Sequence, residues 1–212
     1  MIRCAFDIAH SLEKNATPQS EPSYHNRLHF AQTLLCLTAL LERWAEHTHL
    51  KHESAAAMLL AMTGHDYQHP GGRNTKPMEI ERATAKALQT FWVKHAIDPR
   101  WRKRINAWIW ATDPARVATN IQRARLQPMR RVGDANCTLL ITEADIWCSC
   151  LPRYGAALGV MLSQELKRKG DPLHACVASD SGRTFFLKHA RFHSLPSRQL
   201  KIRKIIQQQL AG

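Results

Sequence analysis

Long hydrophobic runs are missing from this 212-residue chain; the longest, Ala55 to Met62, is eight residues. A membrane-spanning helix needs roughly 18 or more, so no span is expected. The N-terminal stretch carries Asp7 and Glu13 and has no long apolar centre. It does not read as a secretory signal, and a cytoplasmic location is expected. No two of the six cysteines form a CxxC pair. They are expected to be reduced and mostly buried, with Cys148 and Cys150 as packing residues. Period-2 strand patterns, internal repeats, low-complexity tracts and long linkers are also lacking. Acidic residues are scarce: 17 Asp and Glu stand against 30 Lys and Arg, a net charge of +13 with a pI near 9.9. That balance favours anionic partners and says nothing about fold. With 44% hydrophobic and 22% charged residues, the composition excludes a disordered chain, a collagen and a disulfide-stapled peptide.

What is present reads as helix. Leu34, Leu35, Leu37, Leu40, Leu41 and Trp44 recur at three- and four-residue spacing, predicting an amphipathic helix from about Asn26 to His47. Glu53 to Gly64 is apolar on nearly all sides, the pattern of a central buried helix. Gln68 to Asn74, rich in Pro and Gly, ends it. Further helices are expected over about Met78–His95, from Pro99, from Asp113-Pro114, and over Ala135–Cys150, Tyr154–Lys169 and Pro196–Leu210. The expected fold is all-α, one domain over 1–212, with a core over about 20–196 and a basic C-terminal helix over about 196–210.

Twelve histidines direct attention to metal ligands, and three clusters stand out. Tyr24-His25-Asn26-Arg27-Leu28-His29 places His25 and His29 four apart, on one face if helical. His65-Asp66 ends the buried helix, followed by His69-Pro70-Gly71-Gly72-Arg73-Asn74. Asp145 lies within Leu139, Leu140, Ile141, Ile146 and Trp147. A carboxylate buried there without a nearby Lys or Arg is costly unless it binds a cation or is protonated. Imidazole and carboxylate together suit Zn, Fe, Mn or Mg. A bridging Asp66 would hold two metals about 3.5–4 Å apart, as in phosphoester hydrolysis.

In order, YHNxxH, HDxxHPGxxN, ATD (Ala111-Thr112-Asp113) and AD (Ala144-Asp145) resemble the catalytic domain of class I cyclic-nucleotide phosphodiesterases, within the HD-domain metal-dependent phosphohydrolase superfamily. The resemblance spans roughly residues 20 to 196. It implies an all-α HD-type bundle that hydrolyses a cyclic nucleotide or related phosphodiester with metal-bound hydroxide. His29, His65, Asp66 and Asp145 would hold a first metal, Zn or Fe/Mn. Asp66 would bridge to a second, Mg or Mn. His69 would face metal-bound water, and His25 would protonate the leaving oxygen. Tyr24 and Asn26 would support the substrate, and Glu81 would help order water. Phe185 would stack on a purine. The family's purine-binding Gln falls at Gly182 here, a His pair is absent after Glu81, and Val117 stands where the family has His.

The same fold also hosts nucleotide phosphomonoesterases, and a non-catalytic nucleotide- or nucleic-acid-binding regulator is a third reading. The expected partner is a phosphate-bearing small molecule, a nucleotide above all. Nucleic acid ranks below it, since no known binding module is visible. Two basic stretches remain to be placed: nine Lys or Arg between Arg100 and Arg131, and the acid-free segment after Asp180. Facing the metal site, they would gather phosphate-bearing substrate; apart from it, they would form a separate patch.

Overall fold

The computed structural model describes residues 1–17 and 20–211, and among them every regular element is helical. The helices are α1 (Ile2–Asn15), α2 (Arg27–Ala45), α3 (His52–Gly64), α4 (Glu79–Ala87), α5 (Gln89–Lys94), α6 (Pro99–Trp110), α7 (Val117–Arg125), α8 (Asp134–Trp147), α9 (Gly155–Arg168), α10 (His174–Val177), α11 (Asp180–His189), α12 (Leu195–Gln199) and α13 (Ile202–Ala211). Short 3₁₀ turns precede α7 (Pro114–Arg116) and follow α8 (Cys148–Cys150). None of these helices is long and apolar enough to cross a membrane.

Helix α3 is the centre, as its all-round apolarity predicts. Ala57, Met58, Leu60, Ala61 and Met62 are sealed from solvent. Helices α1, α2 and α6 pack around it, and α2 also lies along α8. One continuous core cluster runs from Cys4 to Ile206 and includes Trp44, Trp92 and Trp108. Burying a large apolar side chain contributes about 1.5–3 kcal/mol, so this cluster is what fixes the far-apart site segments against one another.

Local signals explain most boundaries. Asn26 caps α2, its Oδ1 accepting from Leu28 N and His29 N. Asp98 caps α6 with Pro99 in the first turn, and Asp113 caps the Pro114 turn. Three expectations need correction. The stretch Met78–His95 is two helices parted at Leu88, where α3 comes close: a Cβ on Gly64 would lie 2.9 Å from Leu88 Cδ1. The stretch Pro196–Leu210 breaks at Lys201, whose φ of 54° interrupts α12 and α13. Helices α1 and α11 come in addition to the helices expected from the sequence. Tertiary contact provides their anchors, Cys4 and Ile8 in α1 and Leu187 in α11.

Candidate metal centre and active site

Four side chains from three helical segments converge. His29 comes from the first turn of α2, His65 and Asp66 from the end of α3, and Asp145 from the last turn of α8. One ligand atom from each lies within 4.8 Å of all the others. His29 Nε2 is 3.3 Å from Asp66 Oδ2 and 3.2 Å from Asp145 Oδ1. His65 Nε2 is 3.0 Å from Asp66 Oδ2 and 3.3 Å from Asp145 Oδ1. His65 Nδ1 lies 2.8 Å from the Met62 carbonyl, an acceptor, so Nδ1 carries the hydrogen and neutral Nε2 presents its lone pair to the cluster. Both Nε2 atoms are buried without a hydrogen-bond partner of acceptable geometry.

Two imidazole nitrogens and two carboxylate oxygens aimed at one point form a donor set with no cation of its own unless the imidazoles protonate. Burial pushes the His29 pKa down, but Asp145 and Asp66 outweigh it and raise it to about 9. His65 moves up against burial for the same reason; despite burial, His65, His25 and His29 hold Asp66 low, and His29 and His65 hold Asp145 low. The carboxylates therefore demand positive charge at this point. A divalent cation satisfies that demand with ligands of ordinary type, so the residues fit a metal.

Beside this centre stand two more histidines. The rings of His25 and His69 stack with centroids 3.6 Å apart, and both have a nitrogen in ligand range of an Asp66 oxygen. His69 Nδ1 accepts from Gly71 N at 3.0 Å, so neutral His69 carries its hydrogen on Nε2 and acts as a donor. Burial, and then the charge of His25, lower its pKa to about 4. His25 is not helical, in keeping with the helix start expected at about Asn26. It precedes the Asn26 cap, and its ring lies edge-on to His29 at 5.6 Å.

What holds His25 is Glu165 of α9, a residue the sequence reading missed. Its Oε1 lies 2.6 Å from His25 Nδ1 and accepts from Gly72 N at 3.1 Å. Its Oε2 accepts from Tyr24 N and His25 N at 2.9 and 3.1 Å. One carboxylate thus ties the YHN loop to the HPGG loop. Burial works against its charge, but His25 prevails and lowers its pKa to about 2. Gly71 is required here: its φ is 76°, and a Cβ would sit 3.2 Å from Glu165 Cγ. The sequence signal was an acidic residue in the otherwise apolar Leu158–Leu166 face of α9, too ordinary to single out.

The remaining candidates separate into support and periphery. Tyr24 packs its ring on His25 and His29 (4.8 Å each), with its hydroxyl 2.9 Å from Ser149 Oγ. The Asn26 carboxamide is committed to backbone, accepting from α2 and donating to Ser23 O at 2.7 Å; its contribution is to orient His29. Glu81 is buried and accepts from Asn74 Nδ2 at 3.1 and 2.9 Å. Asp113 accepts from Met78 N at 2.7 Å, tying down the segment between Asn74 and Glu81. Phe185 is not brought into the cluster: it is 64% exposed and stacks on His189 at 4.0 Å. A Cβ on Gly182 would collide with the Cys176 carbonyl, so this position is closed to a Gln side chain.

Comparison with known proteins agrees with the all-α architecture. A model of the 3'5'-cyclic nucleotide phosphodiesterase family matches residues 24–93. The solved structure of LmjPDEB1 in complex with IBMX superposes with a TM-score of 0.72 at 14% identity, covering 91% of this chain and 75% of that one. The chain has a phosphodiesterase-like HD-domain fold. No curated protein matches. In this phosphodiesterase-like fold the matched segment carries His25, His29, His65, Asp66 and His69. Asp145 and Glu165 lie beyond it and reach the centre only through the packing of α8 and α9.

Proposed function

We propose that the protein is a metal-dependent phosphoric ester hydrolase that cleaves a phosphodiester, with cyclic nucleotides as the favoured substrate class. The observation that carries the reading is the meeting of His29, His65, Asp66 and Asp145 within 4.8 Å of one another, beside a histidine held by a buried carboxylate. His29, His65, Asp66 and Asp145 would hold a first ion of the Zn, Fe or Mn type. Asp66, which also groups with His25 and His69, would share a second, harder ion such as Mg or Mn. Bound divalent cations supply an activated water at neutral pH and neutralise charge on the phosphoryl oxygens.

The chain's own residues supply the rest. Glu165 holds His25 by Nδ1, which leaves Nε2 to deliver a proton to the departing alkoxide oxygen. His69, with its hydrogen on Nε2, would be a hydrogen-bond donor beside Asp66 for the bound substrate. Tyr24 buttresses both His25 and His29 and limits their rotation. Core packing places these groups before substrate arrives, which lowers the cost of assembling the reacting geometry.

The base-binding side supports a second reading. With Phe185 largely exposed and Gly182 closed by Cys176, the purine contacts implied by the family resemblance are not assembled. A phosphomonoesterase of HD type, or a diesterase that does not hold a purine, fits that side of the site. The test is metal analysis paired with turnover of bis-p-nitrophenyl phosphate, p-nitrophenyl phosphate and cyclic AMP, with and without added Mn. Near-stoichiometric metal with diester cleavage supports the proposal, and monoester cleavage alone selects the second reading. His25→Ala is expected to retain metal and lose rate, most with poor leaving groups. Metal-free, inactive protein after reconstitution would overturn both.

A further inference from the structure

The two basic stretches do not both belong to the metal centre. Arg125 from the end of α7 and Arg198 in α12 border one cavity of about 160 Å³ together with His193. Trp44 from the far end of α2, Ile121 and α8 residues Leu139 and Leu140 provide its apolar walls. His29 and Trp44 are separated by fifteen residues of the same helix, about 22 Å along its axis. The cavity therefore lies at the opposite end of α2 from the metal ligands.

Three observations make this cavity more than a packing gap. First, its charge is one-sided. Burial, then the charges of Arg125, Arg203, Arg198 and Arg191, push His193 below its ordinary value, and among the described residues none of these four arginines forms an ion pair. Second, Asn136 lines the same cavity and donates to the Pro128 and Arg131 carbonyls at 3.0 and 2.8 Å, which fixes the segment that follows Arg125 and keeps the cavity open on that side. Third, the wall is built deliberately. Glu143, 1% exposed in α8, accepts from His193 N, Ser194 N and Ser194 Oγ and so clamps the 193–194 segment in place.

We propose that this cavity is a second binding site, for a small organic anion with an apolar body. The volume of about 160 Å³ limits the body to a single ring or short branched chain, since about 150 Å³ holds a molecule of benzene size. The carboxylate, sulfonate or phosphate group would lie at the mouth between Arg125 and Arg198. Charge complementarity selects anions over neutral molecules of the same shape, and the apolar walls select them over inorganic phosphate.

The indole of Trp44 reports on the site, because Trp44 Nε1 donates to the Met129 carbonyl at 3.2 Å and both residues line the cavity. The experiment titrates p-toluenesulfonate into ¹⁵N-labelled full-length protein and follows the assigned Trp44 indole resonance, with neutral p-tolyl methyl sulfone as the control. A saturable shift is expected, with binding at least tenfold weaker for the sulfone and for the Arg125→Gln/Arg198→Gln double variant. Both arginines are exposed, so the variant retains the fold, which its spectrum verifies. An unmoved Trp44 resonance at millimolar sulfonate, equal binding of the sulfone, or unchanged binding by the double variant would each overturn the proposal. So would shifts confined to His25 and His29, which would place the anion at the metal centre.

Discussion

Replacing Glu165 with Gln perturbs the candidate active site through one atom. Glu165 receives three backbone N–H groups and the His25 imidazole. In the variant, the carboxamide oxygen can stay with Tyr24 N and His25 N. The NH₂ group then faces His25 Nδ1 and Gly72 N. His25 can accept that hydrogen bond through Nδ1, so the stranded donor is Gly72 N, a cost of about 1–3 kcal/mol. A domain stable by about 5–15 kcal/mol remains folded. The chemistry suffers more, because an imidazole that accepts at Nδ1 is neutral and has lost the carboxylate that supports its cationic form. General acid catalysis contributes about 10²–10⁴-fold, so cyclic AMP turnover should fall by at least about a hundredfold. Bis-p-nitrophenyl phosphate, whose leaving group departs without a proton, should lose less than about tenfold by the same reasoning. Bound metal, measured in the same samples, should be unchanged. Equal losses on both substrates, or loss of metal, would refute the argument that Glu165 acts through His25. The wild type should also show an acid signature that the variant lacks. Glu165 is lowered from 4.5 to about 2, so its stabilisation is full above 4.5 and disappears as pH falls toward 2.

Asp66→Ala and Asp145→Ala should each reduce bound metal and abolish hydrolysis, since each removes an oxygen shared by both histidines; metal analysis after dialysis checks this. Glu143 is raised from 4.5 to about 7 by burial. Its protonated form is thus favoured in the fold, and the associated stability is full below 4.5 and lost as pH rises through 7. Glu143→Gln should flatten that part of the stability–pH curve in urea titrations while keeping acceptors for His193 N and Ser194 N; an unchanged slope would count against it. Gly182→Ala should lower the melting temperature, because its Cβ meets the Cys176 carbonyl. If it altered substrate preference at unchanged stability, Gly182 would be a specificity position after all.

How much was legible in the sequence varies residue by residue. Asn26, Asp98 and Asp113 mark helix starts because a cap needs only its own next few residues. The all-round apolarity of α3 announces a central helix, because burial on every side leaves no polar face. His29, His65, Asp66 and Asp145 could be nominated because short motifs and a carboxylate in apolar surroundings both carry local chemistry. His25 shows the limit of that logic. The helix start expected at about Asn26 already left it outside α2, but nothing local names Glu165, which holds it from α9.

The sequence by itself determined the helical class, the ligand types of the candidate metal centre and the excess of positive charge. Each is a property of composition or of a window shorter than one helix. Only the tertiary structure decided that Glu165 answers His25 from 140 residues away, that Glu143 is buried against Ser194, that Gly182 is closed by Cys176, and that Arg125 and Arg198 border one cavity far from the candidate metal ligands. These are contacts between helices, set by how apolar faces pack. The packing of a face depends on the whole core, not on the residues beside it in the chain.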